Sequence, residues 1–277
     1  MEINMGRLLI QELRQRRNAV LLWGAGLCFF PIVYLGIYPQ VADEMQGLAD
    51  LEIYQTMGVS LGGLEEWIGS ILVLFVPLVL SIYAVINGTG TLAGEEEDGR
   101  LELIVTLPLP RWQIVTAKAL ALGISLLIIL VVVSLVSVVV FLSIENQVET
   151  ELIPWDVFSA MLGTWPLLFA VGMLSMFLAA VAARRRIASI LAAVIVIVSY
   201  FGSNLASTTS ALEPFEPFFL FTYLDATRTA VTKGQQATDV LTLVLIGIVS
   251  LGLTLFFFHR RKLTVGAWPW QRTPNLS

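Results

Sequence analysis

An all-helical membrane protein with six transmembrane helices is the fold this chain predicts, and three observations carry that reading. Hydrophobic residues make up 57% of the 277 positions, charged residues only 13%, and the mean hydropathy is +0.82, far from the balance of a soluble domain. Crossing a hydrocarbon core of roughly 30 Å takes about 20 apolar residues in a helix, and six such runs can be marked along the sequence. Lysines and arginines gather in alternate connecting segments. Together these place a six-span domain over residues 19–262, after an N-terminal interfacial helix (1–18) and before a C-terminal tail (263–277) on the cytoplasmic side.

Taken in order, residues 2–18 (EINMGRLLIQELRQRRN) set Leu8, Leu9 and Leu13 at helical spacing among Arg7, Arg14, Arg16 and Arg17. That pattern predicts a basic amphipathic helix lying under the bilayer. Span one follows over about 19–38, with Pro39 expected to end it. A cleaved signal peptide is the competing reading; the apolar run is longer than a usual signal core and lacks a small-x-small cleavage site. Residues 41–66 mix Asp43, Glu44, Asp50, Glu52, Glu65 and Glu66 with apolar residues at near-helical spacing, predicting an amphipathic outer-surface helix. Span two covers about 67–87. Pro77 should kink it, because proline removes a backbone donor and crowds the preceding turn.

Span three covers about 117–143 and is followed by a second acidic loop with Glu145, Glu149, Glu151 and Asp156. Span four, about 157–183, holds Trp165-Pro166, a second expected bend. Arg184-Arg185-Arg186 then leads into span five, about 187–206, and reads as a topology anchor for anionic lipid headgroups. The stretch LEPFEPFFLFTY (212–223) has two prolines and five aromatics and cannot be a straight crossing. Short outer-leaflet helices fit it, since aromatic rings favour the headgroup boundary. Irregular backbone at membrane depth must line a cavity or be buried, which makes Pro214, Phe215, Pro217 and Phe218 candidates for an outer gate. Span six, about 240–258, ends in His259-Arg260-Arg261-Lys262.

Orientation follows from charge. With both termini inside, four bases fall in the N-terminal segment, three around the loop between spans two and three, three at 184–186 and four at the C-terminus, or 14 of 16. Only Arg228 and Lys233 lie outside, as the positive-inside rule requires. Fourteen of the 21 acids lie on the other side. Five of the remaining seven, Glu95, Glu96, Glu97, Asp98 and Glu102, sit together in the loop after span two, among the bases.

That loop, GEEEDGRLELIVTLPLPRW (94–112), is the stretch with a local design. Acids at 95–98 complement the positive end of a helix dipole, so a helix from there to about Leu107 is favoured. Leu101, Ile104, Val105 and Leu107 give it an apolar side. Pro108 and Pro110 stop it, and Arg111-Trp112 restart the chain at the interface. The product is a short, stiff element with an acidic end and an apolar side, shaped for a groove in a soluble partner. A solvated connector is the plainer reading of the same residues.

Gly-Glu-x-Glu-x-Gly-x-Leu-Glu-Leu, then Thr-x-Pro-x-x-Arg and a following Lys (94–118), resembles the cytoplasmic coupling segment between spans two and three of ATP-binding-cassette (ABC) permeases of the type-2 exporter class. The order of spans agrees. The resemblance implies that Glu95, Glu96, Glu97, Gly99, Leu101, Glu102, Pro108 and Arg111 dock into a separate soluble ATPase subunit, which carries the ATP and Mg2+, and that two permease copies, identical or related, pair. Pro110 departs from the pattern, where the family more often has a small hydroxyl residue.

Other classes are bounded by what the sequence lacks. No Gly-x-x-x-x-Gly-Lys-Ser/Thr occurs, so the chain has no phosphate-binding loop of its own and is expected not to be an enzyme. One histidine (His259) and one cysteine (Cys28) exclude His/Cys metal clusters and an internal disulfide, so no metal or cofactor is expected in this chain. Nothing points to nucleic acid. The span middles carry essentially no acid or base, whereas ion-coupled carriers place ionisable groups there. The expectation is a permease subunit of an ATP-driven exporter in the cell membrane, moving a hydrophobic or amphipathic cargo such as a lipid, drug-like molecule or peptide. A non-transporting membrane anchor or assembly factor is the alternative.

Overall fold

The computed structural model describes residues 5–46, 63–94, 110–148, 150–182, 184–206, 209 and 211–260. Backbone amides in hydrocarbon have no water to bond, so apolar runs of this length close their hydrogen bonds within helices. Six helical stretches are long and apolar enough to cross a membrane: Met5–Ala42, Leu64–Thr89, Arg111–Gln147, Pro154–Val181, Arg185–Ala206 and Ala237–Arg260. They are called spans one to six below. No strand occurs among the described residues.

Span one corrects the sequence reading in two ways. Helix Met5–Leu27 runs without interruption from the basic stretch into the apolar run, so nothing separates them near residue 18. Pro39 does not stop the helix; it lies inside helix Phe29–Gln46. The break is one helical turn before Pro31, at Cys28. Pro31 has no N–H to return to the Leu27 carbonyl, while Cys28 and Ile32 still donate to Gly24 and Cys28 at 3.1 and 3.3 Å. The outer-surface helix expected over 41–66 reaches Gln46; residues 47–62 lie outside the described ones, as does the helix expected over 95–107.

At Pro77, where the sequence predicts a kink, span two changes helix type. Residues Ile68–Phe75 are π-helical and Val76–Thr89 return to α geometry, with Pro77 in the first turn. The Val76 N–H accordingly reaches Ile71, five residues back. A second π stretch, Gly90–Gly94, ends the described part of span two. Span four breaks just before Trp165-Pro166, between helices Pro154–Leu162 and Trp165–Val181. The Thr164 hydroxyl bonds the Met161 carbonyl at 2.8 Å there, and Trp165 Nε1 reaches Gly123 O of span three at 3.1 Å.

Spans two and four form the centre, with 72% and 67% of their apolar windows buried, against 22% for spans one and six and 28% for span five. Span four packs along six and two, and span one along three. Hydrocarbon gives helices no hydrophobic reason to associate, so close backbone approach matters more than in water. At Gly88 an added Cβ would stand 2.8 Å from Gly172 O and from Ser175 Cβ of span four. Gly69 lets the Ala226 carbonyl lie where a Cβ would meet it at 1.9 Å.

Gly88→Leu is therefore expected to wedge spans two and four apart, costing about 1–3 kcal/mol as overpacking does. Gly26→Leu, with nothing within 4 Å of an added Cβ, is the control. Thermal unfolding in detergent should show a lowered midpoint for the first and an unchanged one for the second.

Candidate functional site

The described polar chemistry gathers at the two ends of the bundle. At the basic end, Leu8, Glu12 and Arg16 follow one another at four-residue spacing on the face of span one turned to the bundle, while Arg14 and Arg17 are exposed. Leu8 packs on Ile114 and Ala117 of span three. One turn further, Glu12 meets Lys118, two turns into span three. Lys118 Nζ lies 2.5 Å from Glu12 Oε1, with the lysine fully buried and the glutamate 5% exposed. Arg16 stands 3.9 Å from the other Glu12 oxygen. Its two terminal nitrogens donate to Asn87 Oδ1 at 3.2 Å and Thr91 Oγ1 at 2.9 Å, both on span two. One carboxylate and two cations thus join spans one, two and three.

The same end of span two is held from the opposite side. Arg185, in the first turn of span five, donates to the Ile86 carbonyl at 3.4 Å. Its side chain lies over Gly90 and Gly94, where an added Cβ would stand 3.1 Å away, so glycine at both positions makes room for it. Of the eight residues proposed for coupling, Arg111 is described. It follows Pro110, whose extended backbone starts helix Arg111–Ile144, and its guanidinium reaches Phe258 O at 3.5 Å and stands 6.0 Å from the Phe258 ring centroid. The start of span three is thereby tied to the end of span six. Glu95, Glu96, Glu97, Gly99, Leu101, Glu102 and Pro108 lie outside the described residues.

At the acidic end, the aromatic stretch folds into 3-10 turns, Glu213–Phe218 and Leu220–Tyr223. The second is pinned to span five: Phe221 N donates to Ser199 Oγ at 3.1 Å, and the Phe221 ring meets Tyr200 edge-on at 5.3 Å. The first carries the four gate candidates, and Tyr223 donates to the Pro217 carbonyl at 2.8 Å. Phe215 and Phe218 are 55% and 81% exposed. Beside them spans two, five and six and the 3-10 turns border an open cleft of 530 Å³ whose lining includes Glu66, Glu216, Asp225 and Asp239. None of Pro214, Phe215, Pro217 or Phe218 lines it; Glu216, between them, does.

The contacts of Glu12, Arg16, Asn87 and Thr91 were missed by sequence reasoning, which placed Arg16 among the bases of an interfacial helix and counted Lys118 with those around the loop between spans two and three. Two signals could have found the cluster. Leu8, Glu12 and Arg16 share one helical face, and Lys118 is followed by 26 residues without a charge, up to Glu145. Removing one partner of a buried ion pair strands the other charge, costing about 3–5 kcal/mol. Glu12→Leu, which takes the one carboxylate from the fully buried Lys118, should therefore lower the thermal midpoint strongly, and Glu12→Leu combined with Lys118→Met should recover most of the loss. A double-mutant cycle by thermal unfolding in detergent checks this.

Comparison with known proteins adds one positive finding. A family model described as ABC-2 family transporter protein matches residues 7–263, nearly the whole chain. No curated protein matches it.

Proposed function

The chain belongs to the ABC-2 transporter family and is a permease subunit of an ABC transporter, and from this premise we propose that a separate soluble ATPase drives it through residues 94–112. ATP and Mg2+ reside on that subunit. Glu95, Glu96, Glu97, Gly99, Leu101, Glu102, Pro108 and Arg111 form the docking element, and nucleotide-dependent closure of two ATPase subunits moves it on each of two paired permease copies. The spans then switch between two packings, a bistable element biased by ligand. Both termini lie on the ATPase side of the cell membrane. The cargo is hydrophobic or amphipathic and leaves the cell.

One observation supports this route above others: the segment departs from and returns to helix ends that are tied to the rest of the bundle. Span two delivers the chain to residue 94 from a turn gripped by Arg16 and Arg185. Span three takes it back at Arg111, bonded to span six. Displacement of 95–109 would therefore act on spans one, two, three, five and six together. A loosely attached connector would absorb such a displacement.

Co-purification tests the reading: the chain should bring down a soluble protein with a phosphate-binding loop, and the pair should hydrolyse ATP. In reconstituted vesicles Gly99→Leu and Arg111→Glu should lower transport per ATP hydrolysed about tenfold, equivalent to ~1.4 kcal/mol, with membrane insertion unchanged. Transport at the wild-type ratio in both variants would overturn the assignment.

Topology is checked separately. In a Cys28→Ser background, the thiol introduced by Asp98→Cys should react with a membrane-impermeant reagent only after the cells are opened. Labelling of intact cells would place the segment outside and exclude the ATPase contact.

A further inference from the structure

Three polar side chains of span two, Tyr83, Asn87 and Thr91, are spaced four apart and so share one face of the helix. Arg16 of span one uses the two nearest residue 94: its end nitrogens donate to Asn87 Oδ1 and Thr91 Oγ1. The third, Tyr83, is fully buried, and its hydroxyl has no hydrogen-bond partner. Arg16 Nε is buried and unpaired as well. Arg16 and Ser125 act electrostatically on the Tyr83 hydroxyl without the alignment of a hydrogen bond, and Ser125 Oγ donates instead to the Ala121 carbonyl at 2.7 Å.

A buried donor and a buried acceptor left unpaired near each other both carry the cost of desolvation, which a bond between them recovers. Turning the guanidinium one rung along this face, from Asn87 and Thr91 to Tyr83 and Asn87, makes that bond. The rung left behind is not stranded, because Thr91 Oγ1 also donates to the Asn87 carbonyl of its own helix, and Asn87 Nδ2 is bonded to the Tyr83 carbonyl at 3.0 Å. The two arrangements therefore differ little in the number of satisfied polar groups. Span two does not have to slide as a body to pass between them. Gly88 sits where an added Cβ would meet span four at 2.8 Å, so a one-turn slide that brought a neighbouring side chain there is blocked. The part with room to change is the wide turn Gly90–Gly94, which contains Thr91.

We propose that Arg16 is a positioning residue with two sets of partners on span two: Asn87 and Thr91 while the Gly90–Gly94 turn keeps its wide form, Tyr83 and Asn87 when that turn is drawn away from span one. Glu12 remains bonded to Lys118 whichever set Arg16 holds, so the joint between spans one and three is kept while the one to span two changes. The exchange needs only the geometry above; its use in transport rests on the coupling assignment, since the Gly90–Gly94 turn opens into the segment that meets the ATPase.

Thermal unfolding of the full-length chain in detergent tests the exchange. Tyr83→Phe removes a hydroxyl that has no bond in the packing above, so alone it should leave the midpoint unchanged. Thr91→Val takes away one of the two acceptors and sends Arg16 to Tyr83. In that background Tyr83→Phe should lower the midpoint by roughly 3 °C or more, as losing a hydrogen bond to a charged group does in a chain of this size. Adding Arg16→Gln should abolish the difference. An equal effect of Tyr83→Phe in both backgrounds, no effect in either, or one that persists with Arg16→Gln would overturn the exchange. Its use in transport is tested on the complex with the co-purified ATPase, where a non-hydrolysable ATP analogue should make Tyr83→Phe lower the midpoint with Thr91 intact, and the nucleotide-free complex should not show the effect. Absence of any dependence on the nucleotide would remove Arg16 from the drive, and the coupling assignment would then stand or fall on Gly99→Leu and Arg111→Glu alone.

Discussion

Burying an ammonium and a carboxylate at the foot of a membrane bundle imposes a condition on everything around it. Lys118 is fully enclosed and Glu12 nearly so, and desolvating two such ions costs several kcal/mol each unless each remains matched. The pair is therefore compatible with few positions of span one relative to span three. Arg16 extends the condition to span two, because a guanidinium that turns toward Glu12 can reach Asn87 and Thr91 only when the last turns of span two stand where they do. Other contacts between elements carry single hydrogen bonds, such as Trp165 Nε1 to Gly123 O between spans four and three and Phe221 N to Ser199 Oγ. At this end three spans are held in register by one cluster of charges.

The rest of the architecture sets this buried ion cluster at one end against an open, acidic cleft at the other. Spans two and four make the closely packed centre, with Gly88 and Gly172 permitting near contact of backbones. At the acidic end the chain gives up straight crossings for 3-10 turns, an aromatic surface and an open cleft with four carboxylates. The buried ion cluster lies where the ATPase is proposed to press; the acidic cleft lies where cargo is proposed to leave. In a family whose permeases are driven by ABC ATPases, this polarity agrees with force entering at one side and being expressed at the other.

How far the sequence carried the structure depends on the kind of physics involved. Six spans and the break before Pro166 were legible because they depend on hydropathy, length and the missing proline donor, all local properties. The stop in span one was misassigned to Pro39. Pro31, with an N–H missing opposite Leu27, is the residue beside the break, and nothing local distinguishes two prolines eight residues apart in one apolar run. Glu12–Lys118 was illegible for a deeper reason. Its partners lie 106 residues apart, and each by itself resembles an ordinary interfacial charge. Of the coupling residues, the sequence reading of Arg111 gained a neighbour it had not foreseen, Phe258.

Span two carries a wider-than-α spiral at each end, Ile68–Phe75 and Gly90–Gly94, around a regular middle. A turn closed over five residues holds more chain in less axial length than the roughly 1.5 Å per residue of an α-helix. Beyond each stretch the helix faces are therefore re-aimed relative to an unbroken α-helix, so which side chains of span two meet spans one, four and five depends on where the two wide stretches begin and end.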